Sequence, residues 1–276
     1  MRTVRFAALV CFSVVLSGRT LEAQKILPAP PQDQFQQGSQ QLQKSAAALG
    51  APITDVSLSG TITVTIGSNT QSGTFVLTAT SAGKSRALFQ LPNGTQTEVE
   101  DYVSSPHTGQ LTTAAGETRQ FHAESLLAPH PAWFFPSFLM NASLSDSYKP
   151  SLVGQETKNG SSVGHVTIYG PQSQASSNSV IAVGRPDQID VYVDPSSQLP
   201  EIIDFIVPVS GNDPKVTPFY KAQLYGTREI RYSDYRLVQN RPVAFHIQVC
   251  SGDVVIDDLR VTSANINTGV SISSAN

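Results

Sequence analysis

Apolar positions along this chain recur with two spacings, and the places where one gives way to the other outline its elements. Between Gln34 and Pro52, Leu42, Ala46 and Leu49 stand at helical spacing in a Gln- and Ser-rich run, with Gly50 placed to stop a helix and Pro52 to follow it. From Asp55 the period falls to two. Val56, Leu58, Ile62, Val64 and Ile66 alternate with Ser and Thr, the pattern of an antiparallel strand with one face in a core and one in water. Residues 73–80, 85–91 and 97–105 continue as short strands, with Pro92, Asn93 and Gly94 as a turn signal. Their loops are too short for parallel crossovers, so the strands predict a meander.

The alternation breaks at Phe121. Residues 121–147 hold Leu126, Leu127 and the aromatic stretch HPAWFFPSFLM (130–140), punctuated by Pro129, Pro131 and Pro136. They predict one or two short helices, one of them opening at Pro136, whose missing N–H matters little in a first turn. Phe135, Phe138, Leu139 and Ala142 would then share one side of that helix. Strand alternation returns over 162–170, 187–195 and 200–208, with a polar loop at 171–179. It continues over 219–239, 242–249 and 253–267, which predict a three-stranded meander. In the last of these, Val254 and Ile256 are out of phase with Leu259 and Val261 across Asp257 and Asp258, which predicts a β-bulge. No repeat of roughly 20 to 50 residues runs through the chain, which disfavours solenoids and propellers.

The N-terminus adds a compartment to this picture. Arg2 and Arg5 precede an apolar run, residues 6–16, and a small-residue stretch with a cut expected after Ala23, as in a secretory signal peptide. The run is too short to span a bilayer, and Cys11 lacks a lipoprotein cleavage context. Residues 24–35, rich in Pro and Gln, are then a flexible lead-in, and 36–276 a single domain. Removing the signal takes away three Arg and one Glu, so the mature chain is more acidic than the formal net charge of −3 for the whole. No basic stripe is present, which argues against a nucleic-acid partner. One cysteine, Cys250, remains, so no internal disulfide can form. On the strand pattern it shares a face with His246 and Gln248, and we expect it to be partly covered. No further apolar segment approaches membrane-spanning length. The expectation is a periplasmic or secreted protein without a transmembrane segment in the mature chain.

Candidate chemistry is sparse. Residues 160–164, GSSVG, match the Gly-x-Ser-x-Gly hydrolase pattern at Ser162, but polar residues precede it and a strand follows, where the mechanism needs a strand-to-helix turn. Asp234 and His246 are the partners such a serine would require. The histidines His107, His122, His130, His165 and His246 show no paired metal-binding spacing, and Cys250 has no cysteine neighbour, so neither a metal nor another cofactor is expected. Asp187, Asp190, Asp194, Asp253, Asp257 and Asp258 suggest turn or water-facing strand positions more than a glycosidase pair or a calcium loop. Asn93, Asn141 and Asn159 fit the glycosylation acceptor pattern, which matters only in a eukaryotic secretory pathway.

Three segments resemble a known family: IDVYVDPSSQLPEIIDFIV (189–207), RYSDYRLVQNRPVAFHIQV (231–249) and DVVIDDLRVTSANIN (253–267). Their order is similar to that of the LolA/LppX-like group of periplasmic lipoprotein carriers and lipid-binding proteins. The hairpin turn where that group often has Gly is Gln239-Asn240 here, and Asn240 can adopt the left-handed conformation a tight turn needs. The resemblance implies a mainly β (α+β) fold, a strongly curved antiparallel sheet or incomplete barrel with a few helices covering its concave face. It also implies an apolar cavity for an acyl chain, and a non-enzymatic protein.

The aromatic stretch would sit in that lid. Trp133, Phe134, Phe135, Phe138, Leu139 and Met140 either fill a dry core or line the cavity of a lipid or lipoprotein acyl chain. A third reading makes them a patch for another envelope protein. The corresponding functions are a lipid-binding carrier, or a structural or sensing module, with a secreted serine hydrolase at Ser162 the weakest.

Overall fold

A computed structural model describes residues 30–50, 52–101, 108–122, 134–145, 148–170, 188–209 and 224–272. The first helix, α1, is Gln32–Ala48 and the second, α2, is Pro136–Ser143. The first group of strands is β1 (Asp55–Ile66), β2 (Asn69–Thr80), β3 (Lys84–Leu91), β4 (Gly94–Asp101), β5 (Thr108–Thr112) and β6 (Thr118–His122). The second is β7 (Lys149–Lys158), β8 (Ser161–Tyr169), β9 (Gln188–Val193), β10 (Pro200–Val209), β11 (Leu224–Val238), β12 (Arg241–Ser251) and β13 (Val254–Ile266).

All thirteen strands belong to one sheet in the order β6-β5-β4-β3-β2-β1-β13-β12-β11-β10-β9-β8-β7. The sheet is thus two antiparallel meanders joined where β1 pairs with β13. It is curved and not closed into a barrel, because β6 and β7 stand at opposite edges. The connection from β6 to β7 contains α2, whose Phe138, Leu139 and Met140 join the core cluster of the sheet.

Curvature comes from irregular pairing. The register shifts between Ser59 and Gly60 on β1, between Val249 and Cys250 on β12, and between Leu152 and Gly154 on β7. An extra residue bends its strand and raises the local twist. The shift at Val249 leaves Ile256 as the extra residue on β13, immediately before Asp257 and Asp258, where the phase change predicts it. Gly60 allows the β1–β13 contact, since a Cβ there would stand 2.0 Å from the Arg260 carbonyl oxygen.

Alternate residues of the strands point into one core. Val56, Leu58 and Ile62 of β1 meet Val166 and Ile168 of β8, Val191 of β9, Ile203 of β10, Ile230 of β11, Ile247 of β12 and Leu259 of β13. Leu42 and Leu49 of α1 and the residues around α2 close the cluster. The other face is mainly polar, around a small separate cluster of buried Val163, Tyr192 and Ile202. Lys158 Nζ lies 2.7 Å from Asp204 and 3.1 Å from Glu229, and Arg231 also pairs with Glu229. Burial raises the Asp204 carboxyl, whereas Arg231, Lys158 and Asn159 overcome burial at Glu229 and hold it below the ordinary range.

Several expectations need adjustment. α1 begins at Gln32, inside the segment read as lead-in. Pro31 precedes it, and Asp33 in its first turn complements the helix dipole. β5, β6 and β7 were not legible as strands. β6 and β7 are edge strands, and the polar QETK at the end of β7 carries little alternation. On α2, Ala142 is exposed, while Ser137, Met140 and Ser143 are buried with Phe138 and Leu139. The helix is enclosed on most sides and is not amphipathic. Cys250 is fully buried rather than partly covered. Residues 1–23 and 171–179 lie outside the described residues.

Candidate ligand crevice

Between the two helices and the sheet lies an apolar crevice. Leu49 and Ile53 contribute from the end of α1 and the segment after it. Phe134, Phe135, Pro136 and Ser137 close one side, and Val56, Val243, Ala244 and Ile266 come from the sheet. Pro242 and Tyr235 complete it. The lining is apolar except for Ser137 and the Tyr235 hydroxyl, and that hydroxyl already donates to the Pro200 carbonyl at 2.7 Å. Burial, with Glu201 nearby, pushes the Tyr235 phenol well above its ordinary range. The free volume inside this partly open crevice is about 20 Å³, room for one water-sized body.

Side chains of the cover take up the rest of the space. Phe134, Phe135, Phe138, Leu139 and Met140 are all buried, and the Phe135 and Phe138 rings meet edge-on at 5.8 Å. Pro136 occupies the first helical turn as the sequence predicts, with Phe135 at the cap position and no side-chain cap bond. Of the residues singled out from the sequence, Phe134 and Phe135 line the crevice directly. Phe138, Leu139 and Met140 belong to the same buried cluster. Trp133 lies outside the described residues. Sequence reasoning missed Leu49, Ile53, Val243, Ala244 and Ile266. Their only sequence signal is ordinary helix and strand periodicity, which marks burial without marking a cavity.

The other candidates separate cleanly. Ser162 is exposed on β8, in the hairpin after β7, opposite Thr157. His246 does not approach it: Nδ1 lies 3.0 Å from Ser233 Oγ, and Nε2 lies 3.2 Å from Asp258 Oδ2. Ser233, His246 and Asp258 form a row across three strands of the polar face, and Gln248 and Arg260 also donate to Asp258. Asp234 pairs instead with Arg236. His165 stacks on Tyr192 at 4.5 Å, with Nε2 2.9 Å from Asp190. Asp194 accepts bonds from Ser196 and Ser197 and shapes a turn. His107, His130, Asp187 and the His122 side chain lie outside the described residues. Among the described residues no group of His, Cys, Asp and Glu is arranged to hold a metal ion. No described helix is long and apolar enough to cross a membrane. Burial pushes the Cys250 thiol up.

Neither a protein-family model nor a curated protein matches this sequence. Solved structures do. A domain named for outer membrane lipoprotein sorting, from Vibrio parahaemolyticus, superposes with a TM-score of 0.53 at 11% identity, over 86% of this chain and 95% of that one. A DUF1329 family protein from Desulfovibrio piger gives 0.55 at 10% identity, over 86% and 95%. A LolA superfamily protein from Nitrosomonas europaea gives 0.50 at 9%, over 83% and 93%. At these identities the likeness is one of fold, and the fold is LolA-like.

Proposed function

We propose that this LolA-like protein is exported to the bacterial envelope and holds a lipid, or the acyl chain of a lipoprotein, between its curved sheet and its helices. One observation carries the reading. An almost wholly apolar crevice lies at the start of a short helix, lined by Phe134 to Ser137, with Phe138, Leu139 and Met140 buried in the same cluster. The present state is then the closed one. Phe134, Phe135, Phe138, Leu139 and Met140 stand in for the ligand, and Trp133 adjoins them in sequence. Entry of an acyl chain displaces them, so apolar contact within the protein is exchanged for contact with the ligand. Burial of the chain contributes roughly 0.8 kcal/mol per methylene, enough to offset displacement of a few side chains once the chain is long. The role is one of binding, without catalysis. Two of the solved neighbours, a domain for outer membrane lipoprotein sorting and a LolA superfamily protein, support the same reading.

A fluorescent fatty acid displaced by an unlabelled one tests it, with Trp133 emission read in parallel. Saturable binding with a change in Trp133 emission is expected. An absence of saturable binding, with Trp133 emission unchanged by lipid, would sink the proposal. It would favour the second reading, an envelope module that binds another protein, which the small free volume of about 20 Å³ also suits.

A further inference from the structure

One cation at the rim of the crevice has no partner among the described residues. Arg241 opens β12, next to Pro242 of the lining. Its aliphatic stem lies against Gly50, next to Leu49 of the lining; a Cβ on Gly50 would stand 3.0 Å from the Arg241 Cγ. The stem thus packs at the end of α1, just after the turn that joins β11 to β12. Its Nε is buried and has no hydrogen-bond partner, and the residue forms no ion pair among the described residues. The contrast with its neighbour on the same hairpin is direct: Arg236 is paired with Asp234 at 2.6 Å and lies over the Phe245 ring. A guanidinium carries donors in a fixed fork suited to carboxylate or phosphate. An arginine whose stem packs at the crevice rim and whose buried Nε has no partner has a donor left for an anion. The apolar surface continues outward from this point, because Leu237, 69% exposed, is the cross-strand partner of Pro242.

We propose that the ligand of the crevice is a single-chain amphiphile with an anionic headgroup, its chain passing under Phe134 to Ser137 and its headgroup paired with Arg241 at the mouth. This deepens the lipid-binding reading above and rests on it. The headgroup chemistry is that of a carboxylate or a phosphate monoester, and Arg241 makes the site prefer an anion over an uncharged lipid of the same chain length.

Isothermal titration of the full mature chain with hexadecanoate, 1-palmitoyl lysophosphatidate and hexadecanol, each below its aggregation limit, tests this. The anions should bind about tenfold more tightly than the alcohol, the scale of one charge-assisted hydrogen bond. Arg241→Gln should bring them to the alcohol's level without altering the alcohol, and Arg241→Lys should keep part of the preference. If only one anion shows the Arg241-dependent gain, that anion names the headgroup and the proposal holds. Should Arg241→Gln fold poorly, the wild-type protein suffices, since its preference for anions should shrink as salt is raised while binding of the alcohol does not weaken. Equal binding of anions and alcohol, or a preference untouched by Arg241→Gln, overturns the headgroup assignment and leaves the lipid-binding function standing. If none of the three ligands binds, both fall together.

Discussion

The two helices face the same sheet but are attached to it differently. α1 docks through its backbone: a Cβ at Gly38 would stand 2.6 Å from the Pro150 carbonyl, so the helix axis lies directly on β7. Gln41 donates to Gln198 at 2.8 Å, and Phe35 meets Tyr169 edge-on at 6.4 Å. α2 has only eight residues, and among the described residues no hydrogen bond or ion pair ties it to a strand. It is held by buried apolar side chains. A directional attachment specifies one partner, whereas apolar burial is non-directional and accepts any apolar body of suitable size. α1 is fixed by directional contacts, and on the proposed function α2 is the helix that a ligand would displace.

The strongest test of that contrast is at α1. Leu42→Ala, at a fully buried position, should lower stability by about 3 kcal/mol in urea unfolding. Gly38→Leu, which forces a side chain into the β7 backbone, should cost a similar amount, about 3 kcal/mol. Fatty-acid affinity per folded molecule should not improve in either. Met140→Ala in α2 should cost about 2 kcal/mol. It should also tighten fatty-acid binding severalfold, because a weaker cover is easier to displace. If the α1 and α2 variants changed affinity alike, the contrast would be broken.

A smaller effect is expected at the seam between the two meanders. Asp55 accepts the N–H groups of Thr268 at 2.8 Å and Gly269 at 3.0 Å, and also the Thr268 hydroxyl. Burial works against its charge, but these donors prevail and hold the Asp55 carboxyl below the ordinary carboxylate range. Asp55→Asn should cost about 1 kcal/mol at neutral pH. A depressed folded-state pKa gives stability that is present above the unfolded value near 4 and is lost as pH falls through the lower folded one. The gap between wild type and Asp55→Asn should therefore close below about pH 4, as chemical denaturation at a series of pH values would reveal. Because the Asp55 carboxylate bonds to Thr54, Thr268 and Gly269 and shares no hydrogen bond with α2, its effect should add to that of Met140→Ala. A marked departure from additivity would mean that seam and cover move together.

Much of this architecture was legible wherever burial is one-sided. β1 announces itself because Val56, Leu58 and Ile62 face the core while Ser and Thr face water. The bulge beside Asp257 was legible for the same reason, as a slip of phase. β7 was not, since one of its edges is unpaired and its last residues face solvent on both sides. The described part of the aromatic stretch, 134–140, is buried in the core cluster, but its contacts were not readable, because a helix enclosed on most sides has no stripe to reveal its orientation. The rim was the least legible. Nothing about Arg241 in the sequence distinguishes it from Arg236, and only the pairing of one and not the other sets them apart.

The pairing of β1 with β13 also has a kinetic consequence. The central seam brings together positions such as Thr54 and Asn267, 213 residues apart. The first meander can form early, yet its innermost strand finds its second neighbour only when the last strand has been delivered. Sheets dominated by such distant pairings fold slowly, because loop closure precedes its reward. A chain that emerges from its N-terminus first, whether from the ribosome or through a membrane pore, thus stays uncommitted until its last strand has passed, a delay that would suit the export proposed above.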